Sequence, residues 1–223
     1  MRKLMLCASL LTLGAVPAHA GGTVGPNSEC PGLCIYIVGD NGAVGDPVGR
    51  YCVSVRDFNN RPIVNSSVVI DFSRCDVQLC TDQKDPDVIV DCIAQTVRKL
   101  TDVNGQACFI VLGKSRPNLD CGGQGSLCAK VFADGVALCQ ANTPIFNLVN
   151  HADGRGLGAD DLAAWLSGFF CGTNPLRLDY TCDGIVGASD FARWLSVFFA
   201  GGSSLNCPSP KCPSLVDLRK IAA

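Results

Sequence analysis

Apolar and polar residues alternate along much of the first 140 residues of the chain. Between residues 51 and 57, Tyr51, Val53 and Val55 fall on one side, with residues such as Ser54 and Arg56 between them. A period of two is typical of a strand with one buried face. The pattern predicts strands at 35–38, 51–57, 67–72, 88–93, 96–100, 107–112, 127–133 and 136–140. Seven or eight short strands without helical periodicity indicate an antiparallel β-sandwich.

Short segments of residues that favour tight turns separate these strands. Residues 59–62 read Asn-Asn-Arg-Pro, residues 102–105 read Asp-Val-Asn-Gly, and Asp134-Gly135 lies between two alternating runs. An Asp-Gly pair in that position predicts a tight hairpin.

The period changes to that of a helix in the C-terminal third, where a segment is repeated. Residues 158–172 align with residues 187–201 at an offset of 29, and ten of the fifteen positions are identical. Apolar residues recur at helical spacing in both copies, which predicts two amphipathic helices. The stripes are Leu162, Trp165, Leu166, Phe169 and Phe170, and Phe191, Trp194, Leu195, Phe198 and Phe199. We expect the two stripes to pack against each other, with a partner-binding face as the alternative.

The loop before the second helix follows a twelve-position calcium-binding pattern. Ca²⁺ prefers six to eight oxygen ligands from a loop that wraps around it. Gly184, at position 6, permits the sharp turn that such a loop needs. The predicted ligands are the side chains of Asp179, Thr181, Asp183 and Asp190 and the backbone carbonyl of Ile185. The alternative is a turn followed by a helix that the aspartate caps.

The loop before the first helix fits the calcium pattern less well. Asp153 lies eight residues before Asp161, whereas Asp183 lies seven before Asp190, and counting back places Val149 at position 1. A valine side chain cannot bind calcium. The weaker candidate ligands of this loop are Asn150, Asp153, Asp160 and Asp161. His151 is interpreted as a solvated loop residue.

Residues 1–20 have the pattern of a secretory signal peptide. Arg2 and Lys3 precede a short apolar run that ends in Ala18-His19-Ala20. The run is shorter than the roughly 20 residues that span a bilayer. We therefore expect cleavage after Ala20 and a secreted, extracellular or cell-surface protein, with the periplasm as another destination and an uncleaved anchor as the alternative.

Cysteine is abundant, with 15 residues in the chain, of which Cys7 would leave with the signal peptide. An even number in an exported protein predicts disulfides, here up to seven, whose connectivity the spacing does not determine. Without a Cys-x-x-Cys motif and with two histidines in the chain, zinc binding and redox catalysis are disfavoured. The predicted disulfide cysteines are Cys30, Cys34, Cys52, Cys75, Cys80, Cys92, Cys108, Cys121, Cys128, Cys139, Cys171, Cys182, Cys207 and Cys212. In the Cys/Pro-rich tail, residues 203–223, we consider a local bridge between Cys207 and Cys212.

Charge and histidine content exclude several classes of function. The formal net charge is −2, and loss of the signal peptide would make it more negative by two. An acidic chain without a Lys/Arg stripe is a poor nucleic-acid binder. After the predicted cleavage one histidine remains, which leaves little for general-base or triad chemistry. We therefore expect a protein that is not an enzyme.

Several segments of the first part resemble bacterial Ig-like domains of the invasin/intimin type. The segments are Val55-Arg56-Asp57, Arg61-Pro62-Ile63, residues 68–72 and residues 101–107. The high cysteine content departs from the family. The resemblance implies an Ig-like β-sandwich, disulfide-rich, over residues 22–146.

The two loop–helix units resemble dockerin domains and the dockerin-like repeats of bacterial extracellular proteins. The resemblance covers residues 147–202 and implies a calcium-dependent fold and a partner such as a cohesin. Ser189 and Arg193 are the expected exposed contacts. The resulting hypothesis is a non-catalytic module that binds an extracellular protein or glycan, with no membrane span. The alternative is a self-associating subunit of an extracellular fibre or sheath.

Overall fold

The fold is mainly β, with two sheets. The computed structural model describes residues 22–38, 50–81, 83, 85, 87–115, 127–149, 157–171, 176–200 and 212. The strands of the first sheet are β1 (Ile37–Val38), β2 (Arg50–Ser54), β4 (Val77–Leu79) and β7 (Gln106–Ser115). Strand β7 is the centre of this sheet; it pairs in parallel with β1 and antiparallel with β2 and β4.

The strands of the second sheet are β3 (Ser67–Asp71), β5 (Ile89–Asp91), β6 (Thr96–Leu100), β8 (Ala129–Ala133) and β9 (Val136–Ala141). This sheet is antiparallel throughout and has the order β5-β6-β3-β8-β9. Alternate residues of strands from both sheets, such as Val53 and Ile70, are fully buried in one core. The two-sheet, mainly β prediction is confirmed, and this arrangement is consistent with a sandwich.

Each predicted strand is found at or within a few residues of its predicted place, but β4 was missed. It lies between Cys75 and the predicted strand at 88–93, where we predicted no strand. All three residues of β4 are buried, because the strand packs on both faces. Val77, Gln78 and Leu79 alternate in polarity, but three residues are too few for a period of two to identify a strand.

The repeat forms two helices, α1 (Ala159–Phe170) and α2 (Ala188–Phe199), with a short 3₁₀ turn at Leu176–Leu178 before the second loop. Each helix begins after a glycine with extended backbone, Gly158 or Gly187. The helical prediction is confirmed for both copies.

The expectation that the two aromatic stripes bury each other is wrong for much of their length. The ring of Trp165 lies 5.0 Å from that of Phe191, which joins the helices. Phe170 and Phe199 are each 78% exposed, and Phe169 is 40% exposed. Trp194 turns instead toward the β-sheets, and its indole N–H donates to the carbonyl of Phe146. The buried face of α2 therefore contacts both α1 and the β-part of the protein.

Five disulfides have both cysteines in the described part of the chain, and Cys80 and Cys171 are also disulfide-bonded. The five are Cys30–Cys139, Cys34–Cys182, Cys52–Cys108, Cys75–Cys128 and Cys92–Cys212. The local Cys207–Cys212 bridge is therefore wrong, since Cys212 is buried against Leu79 and bonded to Cys92. Cys121 and Cys207 lie outside the described residues, as do the predicted signal peptide and the rest of the tail. So many disulfides indicate an oxidising compartment.

Among the described residues, no helix is long and apolar enough to cross a membrane.

Candidate functional site: the second loop and its contact with the sheets

The carboxylate of Asp179 organises the start of the second loop. Its side chain is fully buried. One oxygen accepts the amide N–H of Gly184 at 2.8 Å, and the other is 3.3 Å from the amide of Asp183. The chain can turn back on this carboxylate because Cys182 and Gly184 both have positive φ, at 62° and 85°. Position 1 of the predicted calcium loop thus already faces positions 5 and 6.

Asp190 closes the other end of the loop from the first turn of α2. It is also fully buried. One oxygen accepts the amide of Gly187 at 2.8 Å, which caps the helix, and the other accepts both the amide and the hydroxyl of Thr181, at 2.8 and 3.0 Å. The Thr181 hydroxyl is 3.4 Å from Asp179 as well. The structure therefore brings Asp179, Thr181 and Asp190 together.

The remaining predicted ligands lie on the exposed side of the loop. Asp183 is exposed and accepts the amide of Ile185 at 2.8 Å, so its carboxylate points along the turn. Ile185 is 65% exposed. Within the described residues, no three His, Cys, Asp or Glu side chains form a group that could hold a metal ion. The three aspartates of this loop are therefore neighbours in sequence and fold without forming one compact carboxylate cluster.

Two buried carboxylates, those of Asp179 and Asp190, are held by hydrogen bonds and not by salt bridges. Neither Asp179 nor Asp190 forms an ion pair with a lysine or arginine in the described part of the chain, where the ion pairs are Lys99–Asp85 and Arg177–Asp76. Burying a charge without a partner is costly, and hydrogen bonds from backbone amides offset a part of that cost. The site favours a cation electrostatically.

The second loop is attached by a disulfide and by hydrogen bonds to the segment that leads into β1 and to the chain that follows β9. Cys182, at position 4 of the loop, bonds to Cys34, 148 residues earlier in the chain. The Tyr36 hydroxyl donates to the carbonyl of Tyr180 at 3.0 Å, and the Tyr180 hydroxyl donates to the carbonyl of Ile145 at 2.8 Å. The loop therefore cannot move independently of the strands beside it.

The three tyrosines of the chain have raised pKa values because burial disfavours the charged phenolate. Burial raises the pKa of Tyr51 to about 12. Burial is also the main cause for Tyr36, where Arg193 acts in the opposite direction, and for Tyr180, where Asp161 and Asp190 add to the rise. All three hydroxyls are neutral hydrogen-bonding groups at physiological pH.

The two predicted partner contacts have different surroundings. Ser189 is exposed in the first turn of α2. Arg193 is half-buried, and its guanidinium lies 5.9 Å from the centre of the Tyr36 ring. The expectation that Arg193 is an exposed contact is therefore wrong, because this side chain helps to seat α2 on the protein's own β-sheet.

In the first copy, Asp161 has taken the same capping role as Asp190. It is fully buried and accepts the amides of Leu148 and Val149 with one oxygen and that of Gly158 with the other. Asp160 is exposed on the first turn of α1. Asn150 and Asp153 lie outside the described residues. Of the four candidate ligands in this copy, the structure thus places one as a buried helix cap and one on the surface.

These hydrogen bonds define a register between the loops that the sequence did not show. The amide of Val149 reaches a carboxylate 12 residues later, whereas that of Thr181 reaches one nine residues later. Val149 is therefore the structural equivalent of Thr181, and Asn147, two residues before it, is the equivalent of Asp179. Asn147 was missed because the first loop is three residues longer between these points. Its side chain is buried and offers an amide oxygen in place of a carboxylate.

Chemically, the second loop offers hard oxygen ligands on a turn that is already formed. Carboxylates, a hydroxyl and backbone carbonyls are the ligands that Ca²⁺ prefers over softer metals. Compared with protein-family models, with curated proteins and with solved structures, the chain matches none of them.

Proposed function

We propose that this protein is a non-catalytic binding protein outside the cytoplasm, in which a dockerin-like loop–helix pair binds calcium and is docked on an Ig-like β-sandwich. The observation that carries the proposal is the pair of buried carboxylates of Asp179 and Asp190, which share the hydroxyl of Thr181. A divalent cation there would balance both charges. The role of the ion would be to hold the loop, and with it α2, in one conformation.

The cross-link between the loop and the sheet supports a structural role for this ion. Because Cys182 is bonded to Cys34, ordering of the loop also orders the junction with the first sheet. A ligand that binds the folded form alone stabilises it in proportion to the logarithm of its concentration. Calcium would thus stabilise the junction between the β and helical parts.

The exposed aromatic side chains of the helices support a protein partner. Phe170 and Phe199 end the two helices with 78% of each side chain exposed, and Leu166 and Phe169 lie beside Phe170 on α1. Exposed aromatic residues of this size are frequent in protein interfaces. A partner that contacts both helices would depend on calcium, since the loop determines where α2 lies.

Isothermal titration calorimetry of the oxidised protein with calcium tests the proposal. Asp183→Asn removes one charge, while its amide oxygen can still accept the Ile185 amide, so the turn is retained. We expect about tenfold weaker binding or more in this variant, because ligand charge sets the affinity of calcium loops. Asp87→Asn is the control, an exposed aspartate outside both loops, and should bind as the parent does.

Absence of binding at millimolar calcium, or equal affinity in Asp183→Asn and the parent, would contradict the proposal. Loss of affinity in both variants would point to a non-specific effect of surface charge.

Self-association is a second candidate function, favoured by the edge strand β5. This strand ends the five-stranded sheet, and Ile89 within it and Ile93 after it are 56% and 79% exposed. An open, apolar edge can add a strand from another copy. Size-exclusion chromatography with and without calcium separates the candidates: large homo-oligomers support assembly, and a monomer supports binding to a different partner.

A further inference from the structure

One cysteine lies inside the proposed calcium loop. Cys182 is at position 4, between the proposed ligands Thr181 and Asp183. Of the five bridges with both cysteines described, Cys34–Cys182 is the one that joins the helical repeat to the β-part of the protein. The φ of Cys182 is 62°, in the left-handed region that a residue with a Cβ rarely adopts. Such a conformation persists where neighbouring groups hold it.

The left-handed turn at Cys182 directs the following amides toward the carboxylate of Asp179. The amide of Gly184 donates to one oxygen of Asp179 at 2.8 Å, and that of Asp183 lies 3.3 Å from the other. With a negative φ at Cys182 the chain would leave in another direction, and these amides would no longer face the carboxylate. The conformation of this one residue therefore positions loop positions 1 and 5 relative to each other.

The sulfur of Cys182 is held by a short segment of the β-part. Besides its bond to Cys34, this sulfur lies 3.6 Å from the hydroxyl oxygen of Tyr36 and 4.0 Å from the carbonyl oxygen of Asp179. The Tyr36 hydroxyl also donates to the carbonyl of Tyr180 at 3.0 Å. Residues 34 and 36 thus attach positions 4 and 2 of the loop to the same segment.

The other end of the bridge is fixed by backbone hydrogen bonds. Cys34 is buried and forms a parallel bridge with Asn142. The amide of Ile35 donates to the carbonyl of Asn142 at 2.9 Å, and the amide of Asn142 donates to the carbonyl of Leu33 at 2.6 Å. Because Cys34 cannot shift without breaking these bonds, the disulfide restricts where Cys182 can lie. A restrained loop loses less conformational entropy when it binds an ion.

The first loop of the repeat has no such cross-link. Since Asn147 is the equivalent of Asp179, the counterpart of Cys182 is Asn150, and the sequence has no cysteine between residues 147 and 161. The bridge is therefore specific to the second loop, which is also the loop whose sequence fits the calcium pattern.

We propose that the Cys34–Cys182 disulfide controls the affinity of the second loop for calcium, and that bound calcium in turn protects this disulfide from reduction. The proposal rests on the calcium-binding function proposed above and adds its regulation by thiol reductants. Rigidity is one of the properties that set the affinity of a calcium loop. When the bridge opens, Cys182 is free to leave the left-handed conformation. A smaller fraction of loops is then ready to bind, and the apparent affinity falls by that fraction.

A dithiol is the reductant that opens the bridge. One of its thiolates attacks one sulfur of the pair, the Sγ–Sγ bond breaks, and the electron pair leaves on the other sulfur, which takes up a proton. The second thiolate of the reductant then attacks the mixed disulfide, closes a cyclic disulfide and releases the remaining cysteine, which is also protonated. Two electrons and two protons have passed from the dithiol to the protein.

The two effects have the same size, because coupling between two equilibria is reciprocal. The factor by which the closed bridge raises calcium affinity is the factor by which bound calcium disfavours reduction of the bridge. A tenfold change in affinity therefore corresponds to a reduction potential that is about 30 mV lower when calcium is saturating.

Calcium titration calorimetry of the oxidised protein and of the Cys34→Ala/Cys182→Ala variant tests the effect on affinity. We expect about tenfold weaker binding in the variant, since its loop is no longer restrained. The control, Cys52→Ala/Cys108→Ala, removes a bridge between strands that pair over five consecutive residue pairs, and it should bind as the parent does. Absence of binding by the parent overturns the calcium site together with its regulation. Equal affinity in the parent and in Cys34→Ala/Cys182→Ala overturns the regulation alone.

Redox titration of the unaltered chain tests the reciprocal effect without a variant that has to fold. The protein is equilibrated in mixtures of reduced and oxidised dithiothreitol, with and without calcium, and then alkylated and analysed by peptide mass spectrometry. We expect calcium to lower the potential of Cys34–Cys182 by about 30 mV and to leave that of Cys52–Cys108 unchanged. In Asp183→Asn the shift should be smaller at a calcium concentration that saturates only the parent. The proposal is overturned if the parent binds calcium while the Cys34–Cys182 potential stays constant, or if both bridges shift equally.

Discussion

The two copies of the repeat are alike within their helices and different in what surrounds them. In each copy a buried aspartate accepts the amide of the glycine before the helix, at 2.9 Å for Gly158 and 2.8 Å for Gly187. In each, the tryptophan stacks on the phenylalanine four residues later, with ring centres 5.3 and 5.4 Å apart. Nearly identical segments have thus formed nearly identical local structure.

The second copy differs because the β-sheets hold it. Its loop is bonded to Cys34, its Tyr180 stacks on Phe146 at 4.5 Å, and the indole of Trp194 donates to the carbonyl of that same phenylalanine. No described hydrogen-bond partner lies within reach of the indole nitrogen of Trp165. The helix and its cap therefore follow from the local sequence, which the two copies share. Attachment to the β-part of the protein depends on contacts that only the second copy makes.

Removing the bridge between the second loop and the first sheet should have the largest effect. The Cys34→Ala/Cys182→Ala variant frees a loop of 148 residues, and we expect the free energy of unfolding to fall by up to about 5 kcal/mol. The change is measured by guanidinium unfolding with tryptophan fluorescence. Because both variants lose two sulfurs, Cys52→Ala/Cys108→Ala is the control, and it should lose about 1 kcal/mol less because its loop of 56 residues is shorter. An equal loss would show that the bridge does not anchor this copy.

The two tryptophans allow the same substitution to be compared in both copies of the repeat. Trp194→Phe removes the hydrogen bond to Phe146 and leaves a buried carbonyl, which should cost about 1–3 kcal/mol. Trp165→Phe makes the same change in the first copy, where no described partner is lost, so its cost should be smaller. Urea unfolding of both variants measures the difference. A larger loss in Trp165→Phe would contradict the asymmetry between the copies.

Alkaline pH should weaken the second copy, since two of the three tyrosines lie beside its loop. The pKa values of Tyr36 and Tyr180 are raised in the folded protein, as is that of Tyr51, whereas unfolded tyrosine loses its proton near pH 10. Above that pH the folded state binds more protons than the unfolded state, so stability falls as pH rises and is unaffected below it. Thermal unfolding followed by tyrosinate absorbance from about pH 8 to pH 11 measures this. Constant stability across that range would show that the hydroxyls are not held neutral.

Most of the β-strands could be predicted because each has one buried face, so apolar and polar residues alternate along its sequence. Strand β3 shows it clearly, with Val68 and Ile70 fully buried between half-buried neighbours. The caps were predictable as well, since an aspartate on the first turn of a helix is a local signal. Strand β4 was missed because its three residues are too few to establish a period.

The long-range contacts were not predictable from spacing. The bond from Cys92 to Cys212 spans 120 residues, and the local alternative Cys207–Cys212 was equally consistent with the sequence. The role of Asn147 was also hidden, because only the hydrogen bonds of Val149 and Thr181 reveal how the loops of different length correspond.

Most strand positions, both helices, the repeat and the oxygen-rich second loop could be predicted from the sequence, because each depends on residues close together in the chain. Which cysteines pair, which helix docks on the sheets and which aromatic rings remain exposed became clear only from the folded chain. These outcomes depend on which distant surfaces are buried together. The backbone of Phe146 is an example, because its amide donates to Ile37 in β1 and its carbonyl accepts the indole N–H of Trp194.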